Sequence, residues 1–167
     1  MIRMLLLGMV IALSTGIARA NDVDRVDVYE FGTYTAVGST YPRDSSPQGI
    51  KIEDHDGYVH LDSTRTVVAR IGARFGFRYS LKGTGEDYTS LKIVWKFPPP
   101  GIVGSDSKHP IQREVIEFEA APNSSYVQTI ALETPSDLVP GVWSFEIWCG
   151  NKKLAEEKFT VIMPLIS

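Results

Sequence analysis

Between Arg74 and Leu81 the chain alternates at every step. Phe75, Phe77, Tyr79 and Leu81 share one parity, and Arg74, Gly76, Arg78 and Ser80 share the other. A period of two sends successive side chains to opposite faces, so the segment reads as a strand with one face in a core. The pattern recurs with Leu91, Ile93, Trp95 and Phe97 inward and Lys92 and Lys96 outward. Lys82-Gly83-Thr84-Gly85-Glu86-Asp87 lies between the two and is turn chemistry, because glycine tolerates positive φ. Pro98-Pro99-Pro100-Gly101 then ends the second strand, since each proline removes a ladder donor. No stretch of residues 21–167 keeps a helical apolar period for long.

Further along, Ile116 and Phe118 alternate with Val115, Glu117 and Glu119. Ala121–Ser125 is a turn, and Tyr126–Leu132 reads as another strand. Thr134–Gly141 holds two prolines and a glycine, which makes a corner. In the next segment Trp143, Phe145 and Ile147 face inward, and Gly150-Asn151 supplies a two-residue hairpin turn. With those two residues at the turn's centre, Cys149 pairs with Lys152 and Ile147 with Leu154. An unbroken ladder would then set Phe145 against Glu156 and expose Phe159. One extra residue around Ala155–Glu157, a β-bulge, instead brings Phe159, Val161 and Met163 to the core face. With Val26–Val37 as the opening strand the count reaches about seven. Short antiparallel-compatible strands without crossover helices predict an all-β, immunoglobulin-like antiparallel β-sandwich. Residues 38–64 are polar and rich in Gly, Ser and Asp, and are expected to form a long loop carrying one irregular strand.

The N-terminus reads as a sorting signal. Arg3 is followed by the apolar run LLLGMVIAL at 5–13, too short to span a bilayer, and then by the small-residue site Ala18-Arg19-Ala20. Cleavage after Ala20 would start a single mature domain at Asn21 and leave 147 of the 167 residues. Loss of Arg3 and Arg19 takes the formal net charge from −3 to about −5. That balance argues against nucleic acid or an anionic membrane as the main partner. No later apolar run is long enough for a membrane span. The expected location is periplasmic or extracellular. Cys149 is the only cysteine, so an intrachain disulfide is ruled out. The thiol either packs as a small hydrophobe or joins two chains.

The segments RIGARFGFRYSLKG (70–83) and LVPGVWSFEIWCGNKKLAEEKFTV (138–161), with the opening VDVYEFGTYTA (26–36), resemble a bacterial family of small secreted domains with no assigned function. The resemblance covers most of the mature chain, although residues 38–62 add little. It implies an immunoglobulin-like sandwich in a Gram-negative periplasm or outside the cell. It brings no catalytic residues.

Three groups of residues carry candidate chemistry. Asp54-His55-Asp56-Gly57, with His60 and Asp62, offers oxygen and imidazole ligands for calcium or zinc. The spacing fits poorly, because Val59 stands where a calcium loop needs glycine and Arg65 where it needs a bidentate acid. The second group is a basic stripe, since Arg70, Gly72, Arg74, Gly76 and Arg78 share one parity on the outer face of an Arg70–Arg78 strand. Guanidinium forks there would grip carboxylate or phosphate. Alternatively, Glu117 and Glu119 lie across the sheet and neutralise the stripe with cross-strand ion pairs. Third, Trp148 has the parity opposite to Trp143, Phe145 and Ile147. It is expected outside the core, either at a binding surface or packed under residues 38–64. Trp95 is expected inside it.

No nucleophile elbow, HExxH helix or phosphate loop is present in the sequence. The chain therefore reads as a non-catalytic secreted or periplasmic binding or protein-interaction module, without a cofactor. Arg70, Arg74, Arg78 and Trp148 are its candidate binding residues. The partner expected is an envelope protein or an anionic glycan. The alternatives are a homodimer or larger structural assembly formed through an edge strand or Cys149, and a metal-dependent enzyme using the Asp54–Asp62 loop.

Overall fold

The computed structural model describes residues 23–42, 47, 53–85, 87–104 and 109–165. The expected leader and its cleavage site lie outside these residues, as does the side chain of Asp54. Nine strands follow one another: β1 (Arg25–Pro42), β2 (Glu53–Asp62), β3 (Thr66–Val68), β4 (Arg74–Lys82), β5 (Thr89–Lys96), β6 (Arg113–Ala120), β7 (Ser125–Ala131), β8 (Gly141–Cys149) and β9 (Lys152–Ile162). They form a four-stranded sheet, ordered β2-β1-β4-β7, and a five-stranded sheet, ordered β3-β9-β8-β5-β6. No α-helix occurs among the described residues. Every strand pair is antiparallel except β3–β9, whose Thr66–Val68 runs parallel to Thr160–Ile162.

The inward parities read from the sequence meet between the sheets. Phe75 of β4 packs edge-on against Trp143 and Phe145 of β8 at centroid distances of 5.7 and 6.0 Å, and tilts against Phe159 of β9 at 5.3 Å. Phe75, Phe77, Leu81, Leu91, Ile147 and Phe159 are fully buried. Each such side chain contributes about 1.5–3 kcal/mol by leaving water. The β5–β8 ladder sets Trp95 opposite Phe145, and Trp95 is a core residue. At one flank Arg65 stacks over the Phe31 ring at 3.7 Å and pairs with Glu157 at 2.8 Å. Burial pushes the Glu157 carboxyl up although Arg65 pulls it down.

The β8–β9 hairpin has the expected bulge, one residue earlier than its sequence range. Cys149 pairs with Lys152, Trp148 with Lys153 and Ile147 with Ala155, leaving Leu154 as the extra residue. The shift sets Trp143 opposite Phe159 and Gly141 opposite Val161. Positive φ in the turn falls on Gly150, at +55°. Met163 does not join Phe159 and Val161 inside. The strand ends at Ile162 and leaves Met163 about half exposed.

Two strands more than expected arise from two places. One is β3. The other is the segment 38–64, expected to be a loop carrying one irregular strand, whose described residues are mostly ladder, with β1 running on to Pro42 and pairing β2 from Thr33↔Asp62 to Pro42↔Glu53. Near its middle β1 bends. Gly32 has φ +143°, a Cβ there would stand 1.8 Å from the Asp62 carbonyl oxygen, and the register slips between Thr33 and Tyr34. Beyond the bend, the arm formed by 35–42 and 53–60 curls back over the outer face of its own sheet. Its Tyr58 and His55, paired with Ala36 and Thr40, touch Arg78 and Arg74, which lie opposite Glu30 and Tyr34.

Candidate functional site

The arginine stripe is shorter than expected, because β4 begins only at Arg74. Arg70 lies before it in a turn closed by Ala73 N–H donating to Arg70 O at 3.0 Å, with Gly72 at φ +85°. Arg74 and Arg78 do share the outer face of β4, and the arm covers both. Arg78 pairs with Glu30 at 3.2 Å, donates to the Tyr58 carbonyl and lies 5.8 Å from the Tyr34 ring centre. Arg74 donates to Thr129 Oγ1 and to His55 Nε2, each at 3.2 Å, and stands over the Tyr58 ring. A guanidinium can only donate, so His55 Nε2 accepts and the ring proton sits on Nδ1, facing Thr40 Oγ1 at 3.1 Å. Glu117 and Glu119 are not their partners. Both belong to β6 in the other sheet, where Glu117 pairs with Lys92 at 3.4 Å.

Within this cluster Tyr34 is 3% exposed, and its hydroxyl has no well-formed hydrogen bond among the described residues. Burial first, then the Glu30 carboxylate, push its pKa well above the usual tyrosine range. Glu30 and Tyr34 escaped the sequence reading. Pairing the opening strand with the arginine strand would have placed both on this face, but nothing in either strand announces that partner.

The Asp54–Asp62 segment is strand β2, not a loop. The ladder spends its polar side chains on β1. His60 Nε2 donates to Phe31 O at 3.0 Å. Asp56 accepts the Ser39 N–H at 2.7 Å, and that bond, with one from the Tyr41 hydroxyl, holds its carboxyl below the usual range. No group of three or more His, Cys, Asp or Glu residues placed to hold a metal ion occurs among the described residues.

On the other sheet Trp148 points outward, as its parity requires. It is half-buried, and its Nε1 donates to Glu146 Oε2 at 3.0 Å. It does not pack under residues 38–42 or 53–62, which belong to the opposite sheet. Glu146 is 3% exposed and also takes Lys96 at 2.7 Å and Lys153 at 3.3 Å. Burial works to raise its carboxyl, but the bonds from Lys96, Trp148 and Lys153 outweigh it and hold the group low. Cys149 is 1% exposed. Joining two folded chains through it is therefore disfavoured, because its sulfur sits on the core face.

A cleft of about 490 Å³ lies at the sandwich edge. Thr33 and Thr35 of β1 with Leu61 and Asp62 of β2 line one side, and β3 and the Arg70–Ala73 turn line the other. Arg74 reaches it as well. Here Arg70 and Asp62 are exposed, and neither side chain has a partner among the described residues. Two of the predicted binding residues, Arg70 and Arg74, thus border one cavity, and only Arg70 is unengaged. Arg78 and Trp148 are not in its lining.

Two facing sheets with this strand order define the class of protein as an immunoglobulin-like β-sandwich. Residues 23–161 match the family described as domain of unknown function DUF3859, and the chain belongs to that family. It is similar to the immunoglobulin-like protein PA1606 of Pseudomonas aeruginosa, with a TM-score of 0.58 and 22% identity over 83% of this chain and 98% of that one. The alkylpurine DNA glycosylase AlkC of Pseudomonas fluorescens, bound to DNA containing an abasic site analog, aligns with 58% of this chain and 27% of its own. Its TM-score is 0.36 and its identity 13%, a level at which likeness carries no meaning for fold or function. No curated protein sequence matches significantly. Among the described residues no helix is long and apolar enough to cross a membrane.

Proposed function

We propose that the protein is an exported, non-catalytic binding module that meets its partner in the periplasm or outside the cell, through the cleft at the sandwich edge. The observation that carries this reading is the contrast among its arginines. Arg74 and Arg78 are engaged by the protein's own groups, whereas Arg70 has no partner among the described residues and stands on the rim of a cavity of ligand size. The leader-like N-terminus supports the export part. The test is affinity capture from a bacterial envelope extract with the mature domain and an Arg70→Glu variant. A ligand held by the wild type and lost by the folded variant is the expected result. Equal retention, or no ligand at low salt, overturns the reading.

A second reading, self-association, draws on a different observation. Val68 and Ile162 are paired across β3–β9, Val142 lies beside them opposite Thr160, and all three are 42–53% exposed. A contiguous apolar row at a sheet edge is a surface that second copies use. Sedimentation velocity separates the two readings, since a monomer across the micromolar range removes this one.

A further inference from the structure

We infer that the cleft receives the C-terminal end of an extended peptide from a partner protein, its terminal carboxylate gripped by Arg70 and its last amide bridged to the backbone of Val68. The inference rests on the binding-module reading and names its ligand.

The backbone of β3 supplies the first argument. Thr160 N–H donates to Arg65 O and Ala69 N–H donates to Ile162 O, each at 2.7 Å. In a parallel ladder alternate residues turn to the same neighbour, so Arg65, Val67 and Ala69 face β9 while Thr66 and Val68 face away. The outward groups of Thr66 are already used. Its N–H donates to Thr64 Oγ1 at 3.0 Å, and the same hydroxyl donates to Thr66 O at 3.1 Å. The outward N–H and C=O of Val68 have no partner among the described residues, and Val68 lines the cleft. An unpaired strand edge is a template for another chain.

This edge is open for one residue only, between the Thr64 cap and the turn that starts at Arg70. A strand running through needs a longer ladder. A chain end needs a single bridge, and its carboxylate then falls beside the next group along the wall, the unengaged Arg70. A guanidinium–carboxylate pair adds charge-assisted, two-point geometry to that bridge. Leu61 and Val68, 54% and 44% exposed, both line the cleft and offer apolar contact for the last side chain. Asp62 on the facing wall decides between anions. A polyanionic glycan would set charge against that carboxylate, whereas a single terminal carboxylate held at Arg70 need not approach it.

The test is fluorescence polarisation of the mature domain with labelled synthetic hexapeptides bearing apolar last residues. Each is made as the free acid, as the C-terminal amide and with its last amide nitrogen methylated, and a uronic-acid oligosaccharide serves as comparator. Amidation is expected to weaken binding by about tenfold or more. Arg70→Gln should weaken the free acid equally and leave the amide unchanged. Val68→Pro should weaken the free acid by roughly fivefold, because proline removes the bridging N–H while its outward edge position tolerates the ring. The methylated peptide probes the same bridge without altering the protein. Equal binding of acid and amide, or indifference to both backbone changes, overturns the inference. Arg70-dependent binding of the oligosaccharide alone overturns it while leaving the binding module standing. If neither probe binds and the envelope capture is empty, both readings fall.

Discussion

The molecule has two long hairpins, β1–β2 and β8–β9, and they are held by different physics. In β8–β9 one face is dry. Trp143, Phe145, Ile147 and Cys149 are at most 1% exposed, so a register slip of one residue would turn all four to water. The β1–β2 arm has no such face. Val37, Val59 and Leu61 are 42–54% exposed, and the arm is fixed by polar links: Arg78 to Tyr58, Arg74 to His55, and Asp56 to Ser39. Burial is cooperative and hard to undo in part, whereas a set of hydrogen bonds can open one at a time. The arm is therefore the lower-stability unit, although both hairpins are laddered along most of their described length.

The largest expected effect sharpens the contrast from the dry side. Trp143→Ala should cost about 3–5 kcal/mol in urea unfolding, since Trp143 packs on Phe75 and Phe97 and its Nε1 bonds Val139 O at 2.9 Å. Next comes Glu146→Gln on the outer face of β8, expected to cost about 2 kcal/mol near neutral pH by leaving Lys96 and Lys153 without their charge partner. The folded state holds this carboxyl low, so its contribution is present above the unfolded value and is lost as the pH falls through the folded one. The gap between wild type and variant should accordingly narrow in acid. A constant gap would mean that the ion cluster is not its source.

Arg78→Ala should cost less, about 1–2 kcal/mol. Its signature is local, with hydrogen exchange quickening in β2 while β8 and β9 stay protected. Uniform loss of protection would break the comparison, because the arm would then unfold only with the core. Asp56→Asn is the smallest change. It should speed exchange of the Ser39 amide and leave the unfolding midpoint where it was.

The same physics decides what could be read from the sequence. Strands that bury one face carry their own label, and β4, β5 and β8 were legible because Phe75, Leu91 and Trp143 each begin a strict alternation. The β9 bulge was legible too, since only one extra residue brings Phe159 inside. The arm was not, because Asp56 and His60 are spent on backbone groups of β1, while His55 and Tyr58 meet arginines that only the curl of the sheet supplies. For the same reason the sequence grouped Arg70, Arg74 and Arg78 into one stripe. A turn at Gly72 takes Arg70 off the strand, and the parity rule stops at a turn. The cleft was invisible beforehand, being assembled from two strand edges and a turn that no local pattern links.

The parallel pairing of β3 with β9 bears on how the chain is made. β9 is the last of the described strands, yet it sits inside its sheet between β3 and β8. A ribosome-bound chain lacking residues beyond about 150 has no place for β3 to dock, and β8 has lost one neighbour. Contacts so distant in sequence form late and slowly. The five-stranded sheet therefore closes only after Lys152–Ile162 has been made, about 85 residues after β3.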